Sequence, residues 1–600
     1  MAGWLGVWTT DGTRPDAARW RLSINAAVRH GGAVKELMGD RHALGAWHRQ
    51  SGEFPLSGTV VDAAGTQIAW IGQCVDDTGD CSVFAMTQVA ATTFNDSAVA
   101  ALNGPFAALT IRTHPFEVRI VTDRYRNYPV YVFRGRTVVV ASTELRCVVP
   151  WLDQVKLAPD AVSMLLRCGE LIDRMTLIDG TEMLPPGTIL SYQVGQCSEQ
   201  RYWTMHHDGS RSDTFEHTAE DIAHRLQVAV RRLQTVSPRL GVTLSGGLDS
   251  RVILDLCADT ENIPCFTWGL PGCRDIVCAA DFAKLIRSPH TIKHWEPEKF
   301  PPLWAGGVDL AGGACGVEFM YMLPFIDLLA SKCDVVLNGL AGDAILGGNF
   351  LKYSWLKEFD IHRLAQASWR WRVGDEMDAV ADRLQGTARK ESSASEQWIA
   401  SIAARQGARP VERLNDWLYE NRVFRNTNCG TMLMRSGVES HAPFFDRDFI
   451  DAMVKVRQEY KFKHRLYLRV MKLATPRAAS ITWQRTNIAP GLGYHANLAA
   501  MAYQGVLGKV GGRLGVDFFK TLKVADTAAW FRGPWRVPVE EIILGERAVQ
   551  RGLFDSAVVR NLWDEHQSGK NWSRQLSVLT AIELFARQTI DGATIDHGIA

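Results

Sequence analysis

Six residues, Ser245-Gly246-Gly247-Leu248-Asp249-Ser250, stand between an alternating apolar run at 240–244 and a helical pattern over 250–257. A strand that turns on two glycines straight into a helix belongs to a sheet covered by helices. The signals go on alternating, with strands predicted at 264–268 and 333–337, so the expectation is a parallel sheet. The glycine N–H groups and the positive helix end form an anion cradle, to which Ser245 and Ser250 add hydroxyl donors. Asp249 repels a phosphate unless a divalent cation lies between them, which implies Mg2+ with a nucleotide. An ordinary Gly-Gly turn with a Ser or Asp cap spells the same letters; the strand-loop-helix setting favours the site. No GxxxxGK[ST] occurs, so P-loop chemistry at a γ-phosphate is unsupported.

The other 594 residues constrain the setting. A chain of 600 residues, 46% hydrophobic and 22% charged, folds into two or more domains with large cores. Its net charge of +1 supplies no global field for nucleic acid or an anionic membrane. Twelve cysteines are scattered with no CxxC pair, which fits a reducing cytosol better than a disulfide scaffold or a zinc site. The start, Met1 to Gly6, lacks a basic n-region, and no apolar run is long enough to span a bilayer, so a soluble cytoplasmic protein is expected. Residues 1–205 read as short β runs, among them 58–61, 67–71, 117–121, 131–133 and 137–140. A polar stretch at 206–213 marks a domain boundary, a helix follows from Phe215, and 351–475 is mainly helical. No internal repeat is visible.

The hexapeptide resembles the pyrophosphate loop of the ATP pyrophosphatases, the group that includes the asparagine synthetases. That family cleaves ATP between the α and β phosphates and makes an acyl-adenylate. Its second segment is matched by 335–348, where the resemblance makes Asp343 a second magnesium ligand facing Asp249. Taken alone, Asp343 reads equally well as a loop Asp between glycines. The same resemblance places Leu244, Thr267, Trp268 and Gly339 beside the nucleotide. Residues 437–446 are similar to the family's GVExxxPFxD segment, with packing and helix-start roles. In the first half, 102–107, 122–131, 141–144 and 184–188 are similar to the glutaminase-type domain, an N-terminal-nucleophile αββα sandwich. The implied architecture is a degenerate glutaminase-like domain at 1–205 and an α/β ATP-binding synthetase domain with helical additions at 206–600.

Four departures narrow the activity. A working glutaminase of this type needs cysteine after the initiator Met, whereas the chain has Ala2 and its first cysteine is Cys74. Leu340 stands where relatives carry a catalytic Tyr or Glu, and Ala344 where asparagine synthetases are acidic. The nucleophile should therefore need little deprotonation by the enzyme, and a peptide α-amine fits, since a pKa of about 8 leaves a useful neutral fraction at neutral pH. Arg465 and Arg485 stand at or beside two family lysines, and as arginines they suit stabilisation of the departing pyrophosphate, a solvated ion-pair role being the alternative.

The set resembles the lasso peptide cyclases, asparagine-synthetase-like macrolactam synthetases with a disabled glutaminase domain. They adenylate an Asp or Glu side chain of a ribosomal precursor peptide, whose N-terminal amine then closes an isopeptide ring with release of AMP. A leader peptidase and a leader-binding protein are implied partners. A β-lactam or asparagine synthetase-like enzyme, or a non-catalytic nucleotide- or peptide-binding homologue, is the alternative. Among the remaining signals, 508–515 reads as a glycine-rich surface turn. Trp369-Arg370-Trp371-Arg372 reads as helix packing or as the wall of a peptide groove. No histidine pattern suggests a metal.

Overall fold

The computed structural model describes residues 2–28, 33–48, 57–61, 65–75, 95–193, 195–385, 393–514 and 523–592. Within them, strands β1 (Gly3–Thr9), β2 (Ala33–Met38), β3 (His42–His48), β4 (Ser57–Val61), β5 (Gln67–Gly72), β6 (Phe106–Thr113), β7 (Phe116–Thr122), β8 (Tyr131–Arg134), β9 (Val138–Ser142), β10 (Thr181–Met183), β11 (Thr188–Gln193) and β12 (Gln196–Arg201) build two antiparallel sheets. Their orders are β10-β8-β9-β1-β3-β2 and β12-β11-β7-β6-β5-β4. The period of two in β1 shows why the sheets stack. Trp4 and Trp8 enter the core shared with Leu109 and Ile120 of the second sheet, while Leu5 and Val7 face the helices Ala17–Ala27 and Pro159–Cys168. The second sheet's other face packs against the short helix Asp96–Ala101 through Val99.

Beyond the predicted boundary, β13 (Leu240–Thr243), β14 (Cys265–Gly269), β15 (His290–His294), β16 (Val335–Leu337) and β17 (Glu439–His441) form one parallel sheet in the order β15-β14-β13-β16-β17. β13 is central, and the chain leaves it first to one side and then to the other. That topological switch opens a crevice at the carboxyl ends of β13 and β16. The helix Phe215–Gln234 covers this sheet, capped by Thr214 and carrying Arg231 and Arg232 in its last turn, with Ile222, Leu226 and Val230 in the core.

The polar stretch at 206–213 is not a free linker. The His207 N–H donates to both carboxylate oxygens of Asp416 at 3.1 Å, and the Asp208 N–H to the Val454 carbonyl at 3.2 Å. Across the two halves the Asn103 amide donates to Asp446 at 2.8 Å, and Arg124 pairs with Asp451 at 2.9 Å. Asp446 also caps the helix Arg447–Met453, the helix-start role expected for its segment. Trp369 is buried edge-on to Trp398, so it packs a helix, while Trp371 meets Trp355 and Lys352. The turn expected at 508–515 is corrected: 508–514 continues the helix Tyr494–Leu514, and Gly515 lies outside the described residues. Among the described residues no helix is long and apolar enough to cross a membrane.

One buried cation strains this fold. Lys461 is fully buried and among the described residues its Nζ has no hydrogen-bond partner, so burial pushes the amine down to about 7 against the pull of Asp416 and Glu412. Its folded pKa lies below its unfolded one, so the cost is complete below pH 7 and fades as pH rises toward the unfolded value near 10. Lys461→Met should raise the unfolding free energy by roughly 1–2 kcal/mol at pH 6, and by less at pH 9. Thermal melts at the two pH values check the sign.

Candidate functional site

Leu244 extends β13 by donating its N–H to the Phe266 carbonyl at 2.7 Å, and the loop 245–248 then turns into the helix Asp249–Leu256. Ser245 and Ser250 close the loop on itself: the Ser245 N–H donates to the Ser250 hydroxyl at 2.8 Å, and the two hydroxyls lie 3.0 Å apart. The glycine N–H groups are already engaged, a correction to the open cradle expected. Gly246 donates to the Asp275 carboxylate at 3.0 Å and Gly247 to the Ser245 hydroxyl at 3.2 Å. A hydroxyl can rotate away in favour of a phosphate, so Gly247, Ser245 and Ser250 are the groups readily turned toward an anion.

Gly246 is required by close approach. A Cβ there would lie 2.8 Å from the Asp275 Cα and 2.9 Å from its carbonyl oxygen, both backbone atoms that cannot swing aside. Gly246→Ala should displace the loop and lower ATP turnover by about 100-fold, an effect of the size seen when one oriented donor is lost; pyrophosphate release measures it.

The loop at the end of β16 brings Asp343 against Asp249. The Asp343 N–H donates to Asp249 Oδ2 at 3.1 Å, and the Tyr467 hydroxyl donates to Asp249 Oδ1 at 2.6 Å. This contact needs Gly342, where a Cβ would lie 2.6 Å from Asp249 Oδ1, and Gly339, where it would lie 2.7 Å from the Asp249 Cβ. Burial and the charge of Asp343 push the Asp249 carboxyl up to about 8. Burial also opposes ionisation of Asp343, but the His464 hydrogen bond and charge, with Arg485, outweigh it and hold that carboxyl below its ordinary value. His464 Nε2 meets Asp343 Oδ1, and Arg485 Nη1 lies 3.9 Å from Asp343 Oδ2.

The donor set suits Mg2+. Two adjacent carboxylates with spare lone pairs offer hard oxygens, and no third His, Cys, Asp or Glu completes a cage among the described residues. Mg2+ commonly uses one or two carboxylates and takes its remaining ligands from phosphates and water.

The residues expected at the nucleotide sit at the carboxyl ends of neighbouring strands. Gly339 is at the end of β16 and Leu244 at the end of β13. Trp268 of β14 is half-buried and stacked on Phe325 with ring centroids 5.5 Å apart. Thr267 is buried and its hydroxyl is committed, donating to the Leu244 carbonyl at 2.8 Å with His290 Nε2 at 2.8 Å. It therefore ties β14 to β13, and its side chain is not free for a ligand.

Arg465 is not brought to the site. It opens the helix Arg465–Ala474 with its guanidinium 4.4 Å from the Phe215 ring centroid, exposed on the far side. At about 100° per residue, positions 465 and 467 point to opposite faces, so Tyr467 facing Asp249 turns Arg465 away. Arg485 does arrive. With Lys463 and His464 it lines a cavity of about 380 Å³ beyond Asp343. Thr486, the position of the second family lysine, is buried and bonded to Asn497 at 3.1 Å.

Sequence reasoning missed four neighbours. Arg251, fully buried, donates from Nε to the Gly247 carbonyl at 2.7 Å and from Nη1 to the Ile481 carbonyl at 3.1 Å, tying the loop to the segment that precedes Arg485. Asp275 backs the loop, and burial pushes its carboxyl up to about 6 against Gly246, Arg251 and Gln484. Tyr467 and His464 lie within three residues of the Arg465 that the motif singled out, but Tyr467 is turned to Asp249 by the phase of the helix and His464 stands before it in a left-handed turn, neither of which the motif gives.

The asparagine synthase family model matches residues 221–479 and 520–587. No curated protein matches the chain. Among solved structures, the glutamine phosphoribosylpyrophosphate amidotransferase of B. subtilis complexed with ADP and GMP is similar at 12% identity, with a TM-score of 0.24 and coverage of 48% of this chain and 65% of that one. The allosteric regulatory enzyme of purine biosynthesis follows at 11% identity, TM-score 0.23, and 40% and 60% coverage. The chain thus spans less than two thirds of the length of either.

Proposed function

The chain belongs to the asparagine synthase family, whose members use ATP to form amide bonds, and from that premise we propose that it is a lasso peptide cyclase. In this reading residues 1–205 are a glutaminase-like domain without its nucleophile and 206–600 carry the reaction. The observation that carries the ATP chemistry is the meeting of Asp249 and Asp343 at the switch point, beside a loop of hydroxyls and backbone donors.

The reaction runs in two steps. A carboxylate oxygen of an Asp or Glu side chain in the peptide attacks the α-phosphorus of ATP, and pyrophosphate leaves toward Ser245, Gly247 and Ser250. The peptide's α-amine then attacks the acyl carbon, the C–O bond to AMP breaks, and the amine's proton passes to water or buffer. Asp249 and Asp343 would hold Mg2+, which when bound offsets phosphate charge. Arg485, beside Asp343 and at the cavity wall, supports charge where the carboxylate meets the α-phosphate. Arg465 has no part in this scheme.

The choice of amine rests on Leu340, which is apolar, offers no general base and packs toward the sheet core. An amine with a pKa of about 8 is partly neutral without a base. A leader peptidase and a leader-binding protein would present the peptide. Exchange of labelled pyrophosphate into ATP tests adenylation: it should depend on a peptide with a free acidic side chain, and exchange driven equally by free aspartate and ammonia would point to an asparagine synthetase-like enzyme instead.

A further inference from the structure

The cavity beyond Asp343 has a charge pattern that discriminates among acids. Lys463 and Arg485 line it, and neither has a close acceptor: Lys463 makes no ion pair among the described residues, and Arg485 comes no nearer than 3.9 Å to Asp343. Leu351 and Met501 supply apolar wall, and among the described residues no Asp or Glu lines it. None of the loop 245–250 lines it either, so this space and the phosphate loop lie on different sides of Asp343.

The wall is built at a cost. Lys463 and His464 are consecutive residues with φ of 52° and 66°, a left-handed conformation that side chains rarely adopt. Strain of this kind persists where the surroundings impose it and clusters at ligand sites. The surroundings here are the glycine floor, since a Cβ on Gly347 would lie 2.6 Å from the His464 ring. Lys463 is exposed at this turn and lines the cavity, its amine 6.0 Å from the Phe462 ring centroid.

We propose that this cavity seats the acidic side chain of a peptide, with Lys463 as the residue that selects its carboxylate, and that it rejects free amino acids. The inference rests on the ATP-dependent reading above and names the substrate class of that site. A free aspartate or glutamate brings an ammonium that would meet Lys463 and Arg485, while the nearby Asp343 carboxylate already faces His464 and Arg485, whereas in a peptide that nitrogen is an uncharged amide. At about 380 Å³ the space takes an Asp or Glu side chain with adjoining backbone. The carboxylate is then held next to Asp343, where ATP is activated.

Calorimetric titration of the full chain without ATP tests this. The probes are an acetylated, amidated pentapeptide with a central glutamate between two leucines, its glutamine counterpart, and free L-glutamate. The glutamate peptide should bind at least about tenfold more tightly than the glutamine one, and free glutamate should not compete. Lys463→Ala should weaken the glutamate peptide about tenfold while leaving the affinities for the glutamine peptide and for ATP within twofold. The proposal is overturned if none of the probes binds, if free glutamate competes, or if Lys463→Ala weakens ATP instead. Because the peptide titrations contain no ATP, whose affinity is titrated separately, their failure leaves peptide-dependent pyrophosphate exchange standing, and loss of that exchange leaves this binding result standing.

Discussion

Asp249→Asn should leave the chain folded and lower AMP formation by about three orders of magnitude or more. The carboxylate lies 3.1 Å from the Asp343 N–H and 2.6 Å from the Tyr467 hydroxyl, and an amide of the same shape keeps the packing while losing the charge. The loss of rate follows if two carboxylates hold the cation that offsets phosphate charge, since removing such a group costs several kcal/mol in the transition state. Stability moves the other way. Burial and Asp343 push the Asp249 carboxyl up to about 8, above its unfolded value, so the stability it allows is complete below about pH 4 and is lost as pH rises toward 8. The variant has no such loss, so without Mg2+ its melting midpoint should exceed that of the wild type by more at pH 8 than at pH 5. Adding Mg2+ should raise the wild-type midpoint at pH 8 and leave the variant unmoved. Chromatographic AMP measurement and paired melts read both effects.

Arg251→Met should damage stability and ATP use together. Arg251 is wholly buried, and burial pushes its guanidinium down to about 10, yet it donates to the carbonyls of Gly247, Ala478, Ile481 and Thr482. Methionine fills the volume but leaves those carbonyls unpaired in the interior. The expected cost is on the order of 3 kcal/mol, the scale of a few buried groups left unsatisfied. Losing the tie also frees the loop from the segment that carries Trp483 and Arg485, so KM for ATP should rise about tenfold. Denaturant unfolding and initial rates at varied ATP separate the two. An unchanged KM with lowered stability would mean that Arg251 holds the core and not the loop.

The parts legible in the sequence are those set by short range. The strand, loop and helix around Ser245 to Ser250 are contiguous, and so is the glycine-rich turn that carries Asp343. Pattern therefore placed Asp249 at a sheet end, the family resemblance set Asp343 opposite it, and the parallel sheet followed from the alternation of strand and helix signals. β15 and β17 escaped notice because His290–His294 is a polar edge strand and Glu439–His441 is three buried polar residues, neither of which alternates. Arg465 shows a different limit. A motif gives a position in the chain, whereas the phase of the helix decides which side chain reaches Asp249, and that phase is set by packing from elsewhere. Gly508, Gly511 and Gly512 read as a turn by composition, but the helix from Tyr494 runs through them, tertiary context overriding propensity. Arg251 and Asp275 act through contacts to distant backbone, which no local pattern announces.

The most direct test of the cyclase reading is to incubate the chain with ATP, Mg2+ and a precursor peptide encoded beside its gene, and then to weigh the peptide and count the nucleotide products. The account predicts a peptide lighter by one water, blocked at its N-terminus, with one AMP and one pyrophosphate for each ring closed. A peptide of unchanged mass with ATP consumed, or ADP and phosphate as the products, would contradict it.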